Sequence, residues 1–326
     1  MTKISRLPVI SPSSYQPPFG FGNGHLQAIY PALLRRVGLI TTRRERIDTP
    51  DGDFLDLDWG PRQHGRLAIL SHGLEGNSRQ PYMQGMARAL QQRGWDVLAW
   101  NFRGCSGEAN RRLYSYHSGA TGDLKVLLEH VDGYESIALV GFSLGGNITL
   151  KYLGEAGANI DPRISAAVAF SVPCDLASSA DKMAGRAQHL YMARFLKCLR
   201  MKIRLKIESH PGEVEDHGLD EMRTFREFDE RYTAPMNGFA GAEDYWARCS
   251  SKPLLSEIRV PTLLVNAQDD PFLPPECHPH EAAAASEHFF FENPENGGHV
   301  GFVLRRAGGE FWSEQRAAEF LGSERR

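Results

Sequence analysis

The strongest constraint on the fold is an alternation between residues 66 and 172. Short runs, apolar on both faces, are each followed by an amphipathic helical stretch. L-A-I-L-S-H-G leads into P-Y-M-Q-G-M-A-R-A-L-Q-Q-R, W-D-V-L-A-W-N-F into G-D-L-K-V-L-L-E-H-V, and S-I-A-L-V-G-F-S into N-I-T-L-K-Y-L-G-E-A; I-S-A-A-V-A-F-S-V closes the series. A strand apolar on both faces has to be covered on both. A helix after each strand supplies that cover and the crossover that parallel pairing needs. The pattern returns at V-P-T-L-L-V-N-A and E-H-F-F-F-E-N and ends in E-F-W-S-E-Q-R-A-A-E-F-L. Residues 44–59 alternate in polarity around Asp51-Gly52, the signature of a hairpin. The expected fold is α/β: a mostly parallel sheet of eight strands, opened by an antiparallel hairpin, with helices on both faces.

Residues 1–40 are rich in Pro and Gly and pass through Asn23-Gly24 into H-L-Q-A-I-Y-P-A-L-L-R-R, an extended arm capped into a short helix. The core is expected over 41–173 and 260–326. Between them, residues 174–259 interrupt the alternation between the sixth and seventh strands. A strand-to-helix connection is normally far shorter, so this segment reads as a helical cap insertion. Its first half, Lys182 to Lys206, is basic and its second, Glu208 to Glu230, is acidic. L-R-M-K-I-R-L-K-I can be a membrane- or phosphate-binding patch, or a solvated face neutralised by the acidic half. The mixture of basic and apolar residues favours neutralisation.

Among 326 residues the net charge is −3, which gives no electrostatic case for a nucleic-acid partner. The five cysteines (105, 174, 198, 249, 277) are odd in number and lack C-x-x-C spacing, so neither a disulfide framework nor a structural zinc site is expected. The N-terminal residues lack the apolar run of a signal peptide, and no apolar stretch approaches the ~20 residues needed to span a bilayer. A soluble, cytoplasmic protein is expected, without cofactor or metal. Peripheral membrane contact stays compatible with this, and no pattern reports an oligomeric state.

Chemistry concentrates at residues 138–147, A-L-V-G-F-S-L-G-G-N. A buried strand runs directly into Gly141-Phe142-Ser143-Leu144-Gly145 and then into a helix. A serine on so tight a turn is pushed out of the sheet, and glycines at 141 and 145 remove the Cβ atoms that would collide there. A serine hydroxyl is a weak nucleophile alone and needs a base, which in turn needs an orienting group. On this fold the partners follow as acid, then histidine. His299 lies in the Gly-rich loop N-P-E-N-G-G-H-V-G-F after an apolar strand. The acid lies in N-A-Q-D-D-P-F, where Asp269 and Asp270 compete. Counting three residues from Ala267 selects Asp270, leaving Asp269 as a turn or cap residue. The loop S-H-G-L-E-G-N-S ends an earlier strand, and its Leu74 amide should converge with that of Leu144 on a developing oxyanion. Two further loop residues are candidates for substrate contact. His72 more readily braces its loop by hydrogen bonding. Arg103 could meet a carboxylate or phosphate, or hold its loop by bonding backbone carbonyls. Cys105 has no histidine placed to activate it, and His25 fits helix packing better than a role over the site.

With these residues in one order the chain resembles an α/β-hydrolase. N-G-H-L-Q-A, H-G-L-E-G-N-S, N-F-R-G-C-S-G, Y-H-S-G-A-T-G-D-L, F-D-E-R-Y-T-A-P-M-N-G-F and N-A-Q-D-D-P-F together are similar to the YheT-like branch. That branch groups bacterial hydrolases with eukaryotic ABHD1/2/3-type lipases and esterases, and the resemblance covers residues 15–305. It implies a serine hydrolase acting on short- to medium-chain acyl esters or lipids. The eukaryotic relatives carry an N-terminal membrane anchor, and this sequence shows none. Acyl transfer or thioester cleavage would use the same residues, although the acyltransferase pattern H-x₄-D is absent. Epoxide and haloalkane hydrolysis would need a carboxylate at position 143. A non-catalytic binding protein on the same fold is the reading from another class.

Overall fold

A computed structural model describes residues 8–305 and 309–322. Nine strands form one sheet: β1 (Val9–Ile10), β2 (Arg43–Asp48), β3 (Phe54–Trp59), β4 (Arg66–Ser71), β5 (Asp96–Asn101), β6 (Ser136–Phe142), β7 (Ile164–Phe170), β8 (Thr262–Val265) and β9 (Phe289–Glu292). Their order is β1-β9-β8-β7-β6-β4-β5-β3-β2. The hairpin strands β2 and β3 pair antiparallel, as do β3 and β5, and every other pairing is parallel. The sheet has one strand more than the eight expected. The addition is β1, whose Val9 pairs with Phe291 at the edge. Two residues flanked by Pro8 and Pro12 are too few to show a period, and proline is tolerated at such an edge.

Successive strand residues point to opposite faces, and this divides the core. Leu67 and Ile69 of β4 pack with Leu124, Leu127, Leu144 and Ile148, on α3 (Thr121–His130) and α4 (Leu144–Ala156). Ala68 and Leu70 pack on the other face with Met83, Met86, Ala317 and Phe320, on α2 (Pro81–Gln91) and α11 (Trp312–Gly322). Ahead of the sheet's hairpin stands α1 (Gly24–Leu34), capped by the Asn23 side chain accepting from the Leu26 N–H. A short α10 (His280–Ala284) precedes β9.

Between β7 and β8 the chain is helical: α5 (Leu176–Met183), α6 (His189–Ser209), α7 (Phe225–Phe228), a π turn over Asp229–Thr233 into α8 (Ala234–Met236), and α9 (Ala242–Cys249). This segment buries its own apolar side chains, among them Met192, Leu196, Ile203, Phe228 and Tyr232. The basic run 199–207 is engaged internally. Arg204 pairs with Asp220 at 2.6 Å, and Lys202 with Glu75 at 2.8 Å. Arg200 donates to the Met222 carbonyl, and Lys206 to the Asn110 carbonyl at 2.9 Å. Only Arg204 and Arg200 meet the acidic half; the two lysines reach the core. No helix among the described residues is long and apolar enough to cross a membrane.

Candidate active site

Strand β6 delivers its last residues to a turn too tight for ordinary backbone. Ser143 stands there at φ +52° and ψ −119°, directly preceding α4. Such a conformation in a non-glycine residue costs on the order of 1–3 kcal/mol and persists only where its surroundings enforce it. The enforcement is visible. A Cβ on Gly141 would lie 2.5 Å from the Gly146 Cα, and one on Gly145 would collide with the carbonyl oxygens of Ser71 and His72. The Ser143 N–H donates to the Phe170 carbonyl at 2.9 Å, tying the turn to β7.

His299 arrives from the loop after β9, with Nε2 2.9 Å from the Ser143 Oγ. Its Nδ1 lies 2.9 Å from Asp270 Oδ2 and 3.1 Å from Oδ1. A proton on Nδ1 facing the carboxylate leaves Nε2 free to accept from the serine hydroxyl. The Asp270 side chain is wholly buried, and its Oδ1 accepts the Phe272 N–H at 2.8 Å. Lys182 of α5 donates to the carbonyls of Asp270 (2.9 Å) and Leu273 (2.6 Å), fixing the acid's loop. The Phe272 ring covers the imidazole at 4.1 Å between centroids.

Asp269 faces elsewhere. Its Oδ1 accepts the Gly298 N–H at 2.8 Å, and Asn296 Nδ2 donates to Oδ2 at 3.3 Å, so it shapes the loop that carries His299. That loop is under strain, with Val300 at φ +57° and Phe302 at φ +47°. Ser171 Oγ accepts the Val300 N–H at 2.9 Å. From outside, α1 closes on the same loop: a Cβ on Gly298 would strike the Gly24 carbonyl, and one on Gly24 would strike the Asp269 carbonyl. Sequence reasoning misses this buttress, for which Asn23-Gly24 is the available signal. His25 itself sits near Tyr191 of α6, Nδ1 to hydroxyl 3.2 Å.

The loop after β4 passes so close that a Cβ on Gly73 would stand 3.2 Å from the Ser143 Cβ. Leu74 and Leu144 line one cavity together with Ser143 and His299. His72 is fully buried. Its Nδ1 donates to the Gly73 carbonyl at 2.8 Å and its Nε2 accepts the Phe102 N–H at 3.1 Å. Burial pushes its pKa down to about 3, so the ring is neutral with both nitrogens occupied inside the protein. It braces the loop that passes Ser143. Further along the loop, Glu75 has φ +54° and is held by the Lys202 ammonium and by the Tyr116 hydroxyl, which donates at 2.6 Å. Through this pair α6 is fastened to the loop beside Ser143.

Arg103 is likewise engaged by its own neighbours, bonding carboxylates and not the backbone carbonyls expected. Its guanidinium is nearly buried and forks onto Asp123 at 2.6 and 2.8 Å, reaching Asp51 at 2.6 Å and Asp53 at 3.3 Å. Nothing in its own motif reports these partners, which come from the hairpin turn and from α3. Removing one member of such a cluster leaves buried charge unpaired. Arg103→Met is expected to cost about 3 kcal/mol of stability, measured by denaturant unfolding, with activity per folded molecule retained. Cys105 lies 2.9 Å from the Lys202 ammonium, yet burial pushes its thiol up to about 11, so it stays protonated. Among the described residues no His, Cys, Asp and Glu group is arranged to hold a metal ion.

Two hollows meet at Ser143 and His299. One runs beneath the helical segment and is mainly apolar, lined by Leu176, Met183, Phe195, Phe228, Met236 and Trp246. The other opens between α1 and α6, past Ile29, Leu33, Leu190, Tyr191 and Arg194.

Residues 69–305 match the family described by the alpha/beta hydrolase fold. The chain is 36% identical to YheT of Escherichia coli (strain K12) over 325 residues, covering 95% of this chain and 94% of that protein. It is 27% identical to phospholipase ABHD3 of Homo sapiens, over 91% of this chain and 75% of that one. With monoacylglycerol lipase of Saccharomyces cerevisiae it shares 28% identity over 83% of this chain and 62% of the lipase. Among solved structures, esterase Pf2001 of Pyrococcus furiosus superposes with a TM-score of 0.58 at 18% identity, covering 89% of this chain and 98% of the other. The strained turn at Ser143, the sheet order and these likenesses agree, and the chain belongs to the α/β-hydrolase family, in the branch that contains YheT.

Proposed function

We propose that the protein is a serine hydrolase of carboxylic esters, taking short- to medium-chain acyl esters or lipid esters. The observation that carries this is the unbroken hydrogen-bond chain from Ser143 through His299 to Asp270. Ser143 Oγ attacks the ester carbonyl while His299 Nε2 takes its proton. His299 then returns that proton to the leaving alcohol, and Asp270 holds the imidazole tautomer and balances the imidazolium. The Leu74 and Leu144 amides are the donors assigned to the oxyanion, an interaction worth several kcal/mol of barrier when preorganised. Water releases the acyl group by the same steps in reverse roles. Residues 174–259 act as the cap: their apolar hollow is the site for the acyl chain, and the names of the lipase and phospholipase relatives support such a substrate class.

The test is labelling by a fluorophosphonate probe, followed by peptide mapping. Covalent modification is expected on Ser143 alone and is blocked by prior addition of a competing ester. Labelling elsewhere, or none on folded protein that is also inactive across a chain-length series of acyl esters, would refute the reading.

A further inference from the structure

Helix α1 is amphipathic the wrong way round. Its buried positions are Gly24, Gln27 and Pro31, whereas Leu26, Ile29, Leu33 and Leu34 face outward, Leu33 and Leu34 at 69% and 65% exposure. The inward Gln27 amide is bonded at both ends: its oxygen accepts from the Tyr15 hydroxyl at 2.6 Å and the Val303 N–H at 3.2 Å, and its nitrogen donates to the Phe21 carbonyl at 2.8 Å. A surface helix of a globular protein ordinarily buries the apolar stripe and exposes the polar one. Single exposed leucines need no explanation, but an apolar stripe along one helix does.

Across the cleft, α6 presents a stripe of the same kind. Leu190, Arg194, Lys197, Met201 and Leu205 recur at helical spacing on its exposed side, with Leu190 at 81% exposure. Ile29 and Leu33 of α1 and Leu190 and Arg194 of α6 line the opening that leads to Ser143. The charge of these segments is one-sided. Residues 24–36 and 186–207, the two helices with their flanks, hold nine of the 37 lysines and arginines and none of the 40 carboxylates, although the chain as a whole is slightly acidic. Several of those cations are spent internally, as Arg35 on Glu314 and Lys202 on Glu75. Arg36, Arg186, Arg194 and Lys197 are exposed, and no carboxylate among the described residues pairs with them.

We propose that the α1–α6 face docks on an anionic lipid bilayer, with the outward leucines and Ile29 seated at the headgroup boundary and the free cations against lipid phosphates. Two apolar-faced helices with cations along α6 and at the end of α1 suit the interfacial region. The cleft then opens towards the lipid, so an ester drawn from the bilayer reaches Ser143 without crossing water. The docking itself does not depend on the hydrolase reading, and the experiment separates the two.

Full-length Ser143→Ala protein is sedimented with phosphatidylcholine vesicles and with mixed phosphatidylglycerol/phosphatidylcholine vesicles. Binding to the anionic vesicles is expected to be about tenfold tighter or more and to weaken as salt is raised. Arg36→Glu with Lys197→Glu should weaken binding to the anionic vesicles by at least about tenfold, each lost contact alone being roughly a fivefold effect. Leu34→Asp should weaken binding to both vesicle types. In the enzyme that keeps Ser143, Leu34→Asp should leave hydrolysis of a water-soluble short ester unchanged. Absence of vesicle binding, indifference to lipid charge, or binding untouched by these substitutions would overturn the proposal. So would a solution dimer that Leu33→Asp converts to monomer, which would assign the face to a second copy.

Discussion

A Ser143→Ala chain is expected to lose ester hydrolysis by on the order of 10⁶-fold in kcat, because nucleophile and base act as one unit. His299→Ala should lose about as much, and the double substitution little more. Non-additivity is the diagnostic part. If Ser143 and His299 contributed separately, the losses would multiply; because proton transfer from Oγ to Nε2 is the shared step, breaking either end removes it. Activity above the uncatalysed rate should survive in both variants, since the Leu74 and Leu144 amides are untouched. Steady-state kinetics on a soluble ester, with melting curves to show that both variants fold, decides it. Alanine keeps the Cβ at φ +52°, so Ser143→Ala inherits the same backbone strain and should melt near the parent. Robust turnover by the folded variant would eliminate Ser143 as nucleophile.

The features legible in the sequence are those enforced by local chemistry. A strand buried on both faces shows as an unbroken apolar run, so β4 to β7 stand out from their residues alone. The turn at 141–146 is legible because three glycines stand where any Cβ would strike backbone or a packed side chain. Features that depend on distant partners leave no such mark. The edge strand β1 exists only because β9 offers it hydrogen bonds from the far end of the chain, with Val9 opposite Phe291. Arg103 reads from its motif as either a substrate contact or a brace on backbone carbonyls; its partners, three aspartates from the hairpin and α3, are not visible there. The contribution of α1 to the His299 loop rests on two glycine contacts that no periodicity reports. The basic run of α6 shows the same limit in reverse. Its pattern favours neutralisation by the acidic half, yet the lysines there turn inward to Glu75 and to loop carbonyls. The exposed cations of this segment that no carboxylate pairs with among the described residues come earlier, at Arg186, Arg194 and Lys197.

The adjacent aspartates give the sharpest contrast available at this site. In Asp270→Asn the side chain is nearly isosteric, and its oxygen can still accept the Phe272 N–H, so the loop should hold its shape. Its amide N–H, however, would face His299 Nδ1. That nitrogen would then have to accept, placing the ring proton on Nε2 against Ser143, and the base is lost in the tautomer it needs. A drop of about 10⁴-fold in kcat is expected, with KM little changed. Asp269→Asn retains an acceptor for the Gly298 N–H and leaves the imidazole's proton where it was. It weakens the charge-assisted bond from Gly298 and gives up the long one from Asn296, a loss of about 1–3 kcal/mol, and any kinetic loss should stay within about tenfold through slight loosening of the loop. Measuring kcat and KM for both variants on one ester separates the roles. A collapse of kcat in Asp269→Asn with Asp270→Asn spared would move the acid to the neighbouring residue, against the 2.9 Å contact between Asp270 and His299.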